Sequence, residues 1–110
     1  MKYLIAAATT LAALVAIAPA SNAASFVCSS HITYTERAIC DNPGLSYLDS
    51  HMASLYFGLY NHLYGGARFS LRQGQIQWLG SRNGCGANVG CLATLYHGRI
   101  NYLQSYGYGY

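Results

Sequence analysis

Acidic residues are scarce in this sequence of 110 residues, which contains only three. Hydrolysis of glycosidic bonds uses a pair of carboxyl groups, one of which needs a raised pKa. Glu36 has a predicted capping role, Asp41 lies where one predicted helix ends and another begins, and Asp49 falls in mid-helix. We therefore interpret Asp49 as an ordinary surface residue or as a partner for an arginine, and we predict no carboxylate catalysis.

The sequence also lacks the short motifs that identify common enzymes. It contains no G-x-S-x-G, no H-E-x-x-H and no glycine loop of the kind that binds phosphate. The four histidines are spread along the chain. Two of them, His51 and His62, lie about three turns apart on a predicted helix, too far for one metal ion. We predict that the chain is not an enzyme and uses no cofactor.

Basic residues form no cluster either. The chain has six lysine and arginine residues and a formal net charge of +3, but the basic positions are scattered. Nucleic-acid-binding domains usually concentrate Lys and Arg in a patch or stripe. We therefore predict no nucleic-acid partner.

No apolar run is long enough for a transmembrane helix, which needs about 20 residues. The N-terminus has instead the three parts of a signal peptide. Lys2 supplies a positive charge, residues 3–18 are uncharged and mostly apolar, and Ser21 and Ala23 stand at the small-residue positions of a cleavage site. We predict that residues 1–23 are removed and that the protein is periplasmic or secreted. Because no cysteine directly follows this site, we expect no stable membrane anchor after cleavage.

The cysteines form an even set of four, Cys28, Cys40, Cys85 and Cys91. In an exported chain such a set indicates disulfides. Three pairings are possible. Loop-closure entropy does not choose among them, because the local pairing would contribute about 3 and about 2.4 kcal/mol and a long-range pairing more. Structural zinc sites usually present two close pairs such as C-x2-C. The spacing here does not fit that pattern, so we predict no metal.

Helical signals organise the first half of the remaining chain. Thr33 and Glu36 have the capping-box form, which opens a short helix. Asn42 can cap the next helix and Pro43 suits its first position. This second helix has an apolar stripe at steps of three and four residues, and we expect Gly65–Gly66 to end it.

Two further helices are predicted in the second half. Ser70 and Gln73 have the form of another capping box, which would open a helix through about Asn83. A glycine-rich turn separates it from a last helix. The predicted class is all-α: a small antiparallel domain of two long and one or two short helices over residues 24–105. A flexible Tyr/Gly tail, residues 106–110, follows it.

Tyrosine is abundant, with 11 residues. A domain of this size cannot bury them all, so several should be exposed, and the candidates are Tyr47, Tyr60, Tyr64 and Tyr102. Exposed tyrosines are typical of faces that bind proteins or carbohydrates, but single exposed residues carry no such meaning. Both interpretations stay open. We expect Trp78 to lie in the core under the stem of Arg82.

Two runs of motifs follow each other along the chain. The first consists of ERAIC and DNPGL, which together span Glu36–Leu45, and then Leu48-Asp49. The second consists of Gln75, Trp78-Leu79, Arg82-Asn83, Cys85-Gly86, Cys91-Leu92, Tyr96, Arg99-Ile100 and Leu103. This ordered set, over about residues 28–103, resembles the LprI-type lysozyme-inhibitor family.

The resemblance implies a small exported helical protein with locally paired cysteines, Cys28 with Cys40 and Cys85 with Cys91. It implies as partner a lysozyme or another peptidoglycan-cleaving enzyme, which the protein would inhibit. It also implies a set of structural motif residues: Glu36, Asp49, Gln75, Trp78, Tyr96 and Arg99. The alternative function is a non-inhibitory envelope module that binds cell-wall glycan or an envelope protein through exposed tyrosines.

For the partner-binding surface we predict the face that carries Arg82, Asn83 and Gly86. Arg82 and Asn83 directly precede the Gly84–Gly90 turn, and Gly86 lies within it. A turn that a disulfide closes and that is rich in glycine is rigid and narrow enough to enter a cleft.

Overall fold

The computed structural model describes residues 22–23 and 25–106. In these ranges the chain forms four helices: α1 (Tyr34–Asp41), α2 (Pro43–His62), α3 (Gly65–Gly84) and α4 (Val89–Tyr106). Ahead of them, β1 (Asn22–Ala23) and β2 (Phe26–Val27) form one short antiparallel pair. The predicted all-α class is confirmed. The predicted signal peptide, apart from its last two residues, lies outside the described residues. So do residues 107–110 of the predicted tail, while Tyr106 ends α4.

Local hydrogen bonds explain where α1 and α2 begin. The Thr33 hydroxyl accepts a hydrogen bond from the backbone N–H of Glu36 at 3.1 Å, and the Glu36 carboxylate accepts one from the backbone N–H of Thr33 at 3.0 Å. Asn42 caps α2 by accepting from the backbone N–H of Leu45 at 3.0 Å. Pro43 occupies the first turn, where a missing N–H costs nothing. Both predicted helix starts are confirmed.

The start of α3 differs from the prediction. Gly65 and Gly66 open this helix, and the predicted capping box at Ser70 is wrong because Ser70 lies inside α3. Gly65 has φ +53°, a left-handed conformation that favours glycine and turns the chain sharply. Arg68 holds the new first turn against α2, since its Nε donates to the carbonyl of Tyr60 at 3.0 Å and its guanidinium lies 4.2 Å from the centroid of the Tyr60 ring.

The early start of α3 changes the count of long helices. Helices α2, α3 and α4 have 20, 20 and 18 residues, and α1 has 8. The domain therefore has three long helices and one short helix, rather than the two long helices that we predicted.

The core lies where the helices meet, and the most extensive helix contact joins α2 to α4. The buried residues of the core are Ile39, Leu45, Met52, Tyr56, Leu63, Leu71, Leu92, Tyr96, Ile100 and Leu103. All four helices therefore contribute to the core. Full burial of one such aliphatic side chain stabilises the fold by roughly 1.5–3 kcal/mol.

Two local disulfides complete the fold, and they confirm the pairing that the resemblance implied. Cys28–Cys40 ties the N-terminal segment to α1, with the Cα atoms 5.9 Å apart. Cys85–Cys91 closes the turn between α3 and α4, with the Cα atoms 5.6 Å apart. Disulfides of this kind indicate an oxidising compartment. Among the described residues, no helix has the length and apolarity needed to cross a membrane.

Candidate functional site

Asp49, in the middle of α2, is fully buried, with 0% of its surface exposed. The Tyr96 hydroxyl donates to its Oδ1 at 2.7 Å. The Ser25 hydroxyl lies 2.8 and 2.7 Å from the two carboxylate oxygens, and the Ser25 N–H donates to Oδ2 at 3.1 Å. These donors replace the water that a buried carboxylate loses. The interpretation of Asp49 as a surface residue or a partner for an arginine is therefore wrong.

The Tyr96 hydroxyl is held in its protonated, hydrogen-bond-donating form. Burial raises the pKa of Tyr96, and the charge of Asp49 and its hydrogen bond raise it further, while Arg82 acts in the opposite direction. The ring also packs edge-on against Trp78, with centroids 5.1 Å apart. Tyr96 therefore joins a polar contact to α2 with an apolar contact to α3.

Arg82, near the end of α3, is also buried and only 2% exposed. Its Nη2 lies 3.2 Å from the Glu36 carboxylate, and its Nε and Nη2 donate to the side-chain oxygen of Asn83 at 3.2 and 2.9 Å. Its guanidinium lies 5.6 Å from the centroid of the Phe26 ring, so its ring partner is Phe26. Its Nη1 is buried without a hydrogen-bond partner.

This burial corrects the partner-binding prediction for Arg82. A side chain that is 2% exposed and paired with Glu36 offers a partner almost no surface, so Arg82 is not the contact residue that we predicted. Asn83 is exposed, although its backbone carbonyl accepts from the Thr35 hydroxyl at 3.2 Å. Gly86 is half-buried and has φ +60°, and its turn is fixed by the adjacent disulfide. Of the three predicted contact residues, Asn83 is the most accessible.

A second polar cluster joins α4 to α3 and α2. The Arg99 Nε donates to the Gln75 side-chain oxygen at 3.0 Å, and the Gln75 amide nitrogen lies 3.2 Å from the Met52 sulfur. Burial lowers the pKa of Arg99. Its guanidinium lies 3.8 Å from the position that a Cβ would occupy at Gly74, an ordinary van der Waals distance.

The predicted motif residues thus form two interior clusters. Asp49, Tyr96 and Trp78 meet in one, with the Glu36–Arg82 pair beside it, and Gln75 and Arg99 form the other. Trp78 is half-buried and its indole N–H donates to the carbonyl of Leu95 at 3.2 Å. These residues connect the helices to each other, which assigns them a structural role.

One surface feature that can accept a partner is a groove of about 370 Å³ between α2 and α3. One end is formed by Ser25, Phe26, Glu36, Arg82 and Asn83, and the rest by Ala53, Tyr56, Phe57, Arg72, Gln75, Ile76 and Leu79. We call it the α2–α3 groove. A wider and more open hollow of about 600 Å³ lies beside the Cys85–Cys91 turn.

The rim of the α2–α3 groove combines apolar surface with one accessible cation. Phe57 is 50% exposed and Ile76 is 46% exposed. Arg72, on the same helix as Ile76, is also exposed. Burial raises the pKa of Tyr56, which also lines the groove, so its hydroxyl is neutral at physiological pH. The groove therefore suits an apolar side chain that lies beside a carboxylate.

The sequence gives no sign of this rim, because Phe57, Arg72 and Ile76 belong to none of the motifs. The prediction of exposed tyrosines is confirmed, since Tyr47, Tyr64 and Tyr102 are exposed while Tyr60 is half-buried. Over the described ranges, no group of three or more His, Cys, Asp or Glu side chains is arranged to hold a metal ion.

Comparison with known proteins returns no relative: no family model, no curated protein and no solved structure matches the chain. The family resemblance therefore rests on the motifs of the sequence alone. The fold and the groove define the class of the protein: a disulfide-bonded all-α domain with an apolar groove that has one exposed arginine at its edge.

Proposed function

We propose that the protein is an exported inhibitor of a lysozyme or a related peptidoglycan-cleaving enzyme, and that the α2–α3 groove contacts the enzyme. The observation that carries this proposal is the rim, where exposed Phe57 and Ile76 lie in the same groove as the exposed guanidinium of Arg72. Glycosidases of this kind keep two carboxyl groups in the active-site cleft. A guanidinium flanked by apolar side chains is complementary to such a cleft in charge and polarity.

Rigidity is a second support. Two disulfides and the buried contacts of Asp49 and Arg82 hold the helices in one arrangement. A surface that is already ordered loses less conformational entropy on binding, and more of the contact energy remains as affinity. The motif resemblance supports the proposed class of partner, and the groove supports the proposed binding surface.

Export is the remaining part of the proposal. It is supported by the charge, apolar run and small-residue site of residues 1–23 and by disulfides that require an oxidising compartment. A periplasmic or secreted location would bring the domain to the enzymes that cleave the cell wall.

The test is an inhibition assay with matched variants. The disulfide-bonded chain from Ala24 is mixed with lysozymes of several classes, and the clearing of a cell-wall suspension is followed by turbidity. We expect inhibition at micromolar concentration, weakened at least about tenfold by Arg72→Gln or Phe57→Ala. A few residues near the centre of an interface carry most of its binding energy, and the proposal places these two there. Arg37→Gln and Phe69→Ala should inhibit like the unchanged chain, because Arg37 and Phe69 are exposed but lie outside the groove.

The outcome that contradicts the proposal is equally direct. No inhibition of any lysozyme class at micromolar excess would refute it. Retention of the same protein on insoluble peptidoglycan, without inhibition, would support the alternative envelope module instead.

A further inference from the structure

The buried carboxylate of Asp49 has only neutral donors among its hydrogen-bond partners in the described ranges. They are the Tyr96 hydroxyl from α4 and the hydroxyl and N–H of Ser25 from the N-terminal segment. Arg82 of α3 acts on Tyr96 through its charge and a side-chain hydrogen bond, and it also pairs with Glu36 of α1 and with Asn83, but no hydrogen bond joins it to Asp49 in the described residues. A fully buried carboxylate is best stabilised when an opposite charge joins its hydrogen bonds.

The position of Ser25 in the chain suggests a source for such a positive charge. Cleavage after Ala23, which the sequence predicts, would make Ser25 the second residue of the processed protein. The new α-amino group would then belong to residue 24. Since the Ser25 nitrogen lies 3.1 Å from Asp49 Oδ2, backbone geometry alone would hold that amino group within roughly 7 Å of the carboxylate.

We infer that Asp49 is the docking site for the chain's own processed amino terminus, whose α-ammonium group forms an ion pair with the buried carboxylate. In the unprocessed chain, β1 pairs with β2 next to this position and packs against α2 and α1. Cleavage after Ala23 removes β1 and leaves a charge in its place. Removal of the signal peptide would therefore complete the fold as well as release the protein.

The composition of the chain allows a clean chemical test. Lys2 is the only lysine, and it lies in the segment that cleavage removes. An acetylating reagent therefore modifies one amino group of the processed protein, the α-amino group, and hydroxylamine reverses any acetylation of tyrosine. The whole chain is expressed with its export signal, and mass spectrometry checks that the product begins at Ala24.

The readout is the Tm of the free and acetylated forms between pH 7 and 9.5. This range lies above the usual pKa of His, near 6.5, and below that of Tyr, near 10. An ion-paired amine has a pKa raised above its unfolded value of about 7.7–8.0, so its stabilisation is present below that value and is lost as pH rises through the folded pKa. We expect the free form to melt about 5 °C higher at pH 7, and the gap to close towards pH 9.5.

Two variants decide whether Asp49 is the partner. Asp49→Asn should abolish the gap between the free and acetylated forms. If that variant does not fold, a chain processed two residues earlier, which keeps Asn22 and Ala23 and has a displaced free amine, should also show no gap. A gap of the same size in either variant, a gap that does not change with pH, no gap at all, or a processed chain that does not begin at Ala24 would overturn the inference. None of these outcomes depends on inhibition of a lysozyme.

Discussion

Replacement of Tyr96 by phenylalanine tests the buried contact between α2 and α4. The substitution removes one hydroxyl and keeps the ring, so the edge-on packing against Trp78 at 5.1 Å remains. What is lost is the 2.7 Å hydrogen bond to Asp49, and both residues of this pair are 0% exposed. A hydrogen bond to a charged group contributes about 2 kcal/mol net.

The expected loss is therefore about 2 kcal/mol in the free energy of unfolding, or about 8–16 °C in Tm for a domain of this size. The remaining Ser25 donors keep the loss from becoming larger, because the Asp49 carboxylate still accepts hydrogen bonds from them. The ring is retained, so no cavity of side-chain size is created to add to this loss.

Urea unfolding with the disulfides intact provides the measurement. Circular dichroism and the fluorescence of Trp78, the single tryptophan, are followed together, and the slope m is compared among proteins to check that the transition remains two-state. Tyr47→Phe is the control, since Tyr47 is exposed and its hydroxyl should contribute little. If Tyr96→Phe loses no more stability than this control, the assignment of the Asp49 contact as a main link between the helices is refuted.

Because the pKa of Tyr96 is raised in the folded state, its stabilisation is present below its unfolded pKa of about 10 and is lost as pH rises through the folded value. The free energy of unfolding, measured with urea, should therefore fall as pH rises above 10, and it should fall less steeply in Tyr96→Phe. The same pH dependence in both proteins would contradict this role of Tyr96. Arg82→Met should lose about 2 kcal/mol because it removes the charge-assisted hydrogen bonds of a buried arginine to Glu36 and Asn83. Exposed Arg37→Met should lose less than about 0.5 kcal/mol, and similar losses would contradict the pairing. Gly65→Ala should lower the free energy of unfolding by about 1 kcal/mol, because φ at this position is +53°. Gly66→Ala should leave it unchanged or raise it. A loss of stability in both variants, or in neither, would be inconsistent with the observed start of α3.

Features encoded by residues close in sequence could be predicted. The capping box of Thr33 and Glu36 spans three residues, so its hydrogen bonds need no tertiary contact. The same holds for the Asn42 cap. The start of α3 could not be predicted in this way, because a glycine pair is typical of a helix end, whereas the left-handed conformation of Gly65 makes a tight turn directly ahead of a helix.

The helical spacing of Asp49 indicated that it is buried, but its charge indicated a surface position. Asp49 follows Leu45 by four residues and precedes Met52 by three, so its spacing placed it on the apolar face of α2. The usual preference of aspartate for solvent argued against this position. Its partners could not be read from spacing, since Ser25 and Tyr96 lie 24 and 47 residues away. The α2–α3 groove depends in the same way on how distant helices pack.

The most direct test of the central claim, that the α2–α3 groove binds a wall-cleaving enzyme, is NMR mapping of the contact surface. Chain labelled with ¹⁵N is titrated with the lysozyme that it inhibits most strongly, and backbone amide signals are followed. We expect the largest changes around Phe57, Arg72 and Ile76, and unchanged signals around Phe69 and Tyr102. Changes confined to the Phe69 and Tyr102 surfaces, or none at saturating enzyme, would contradict it.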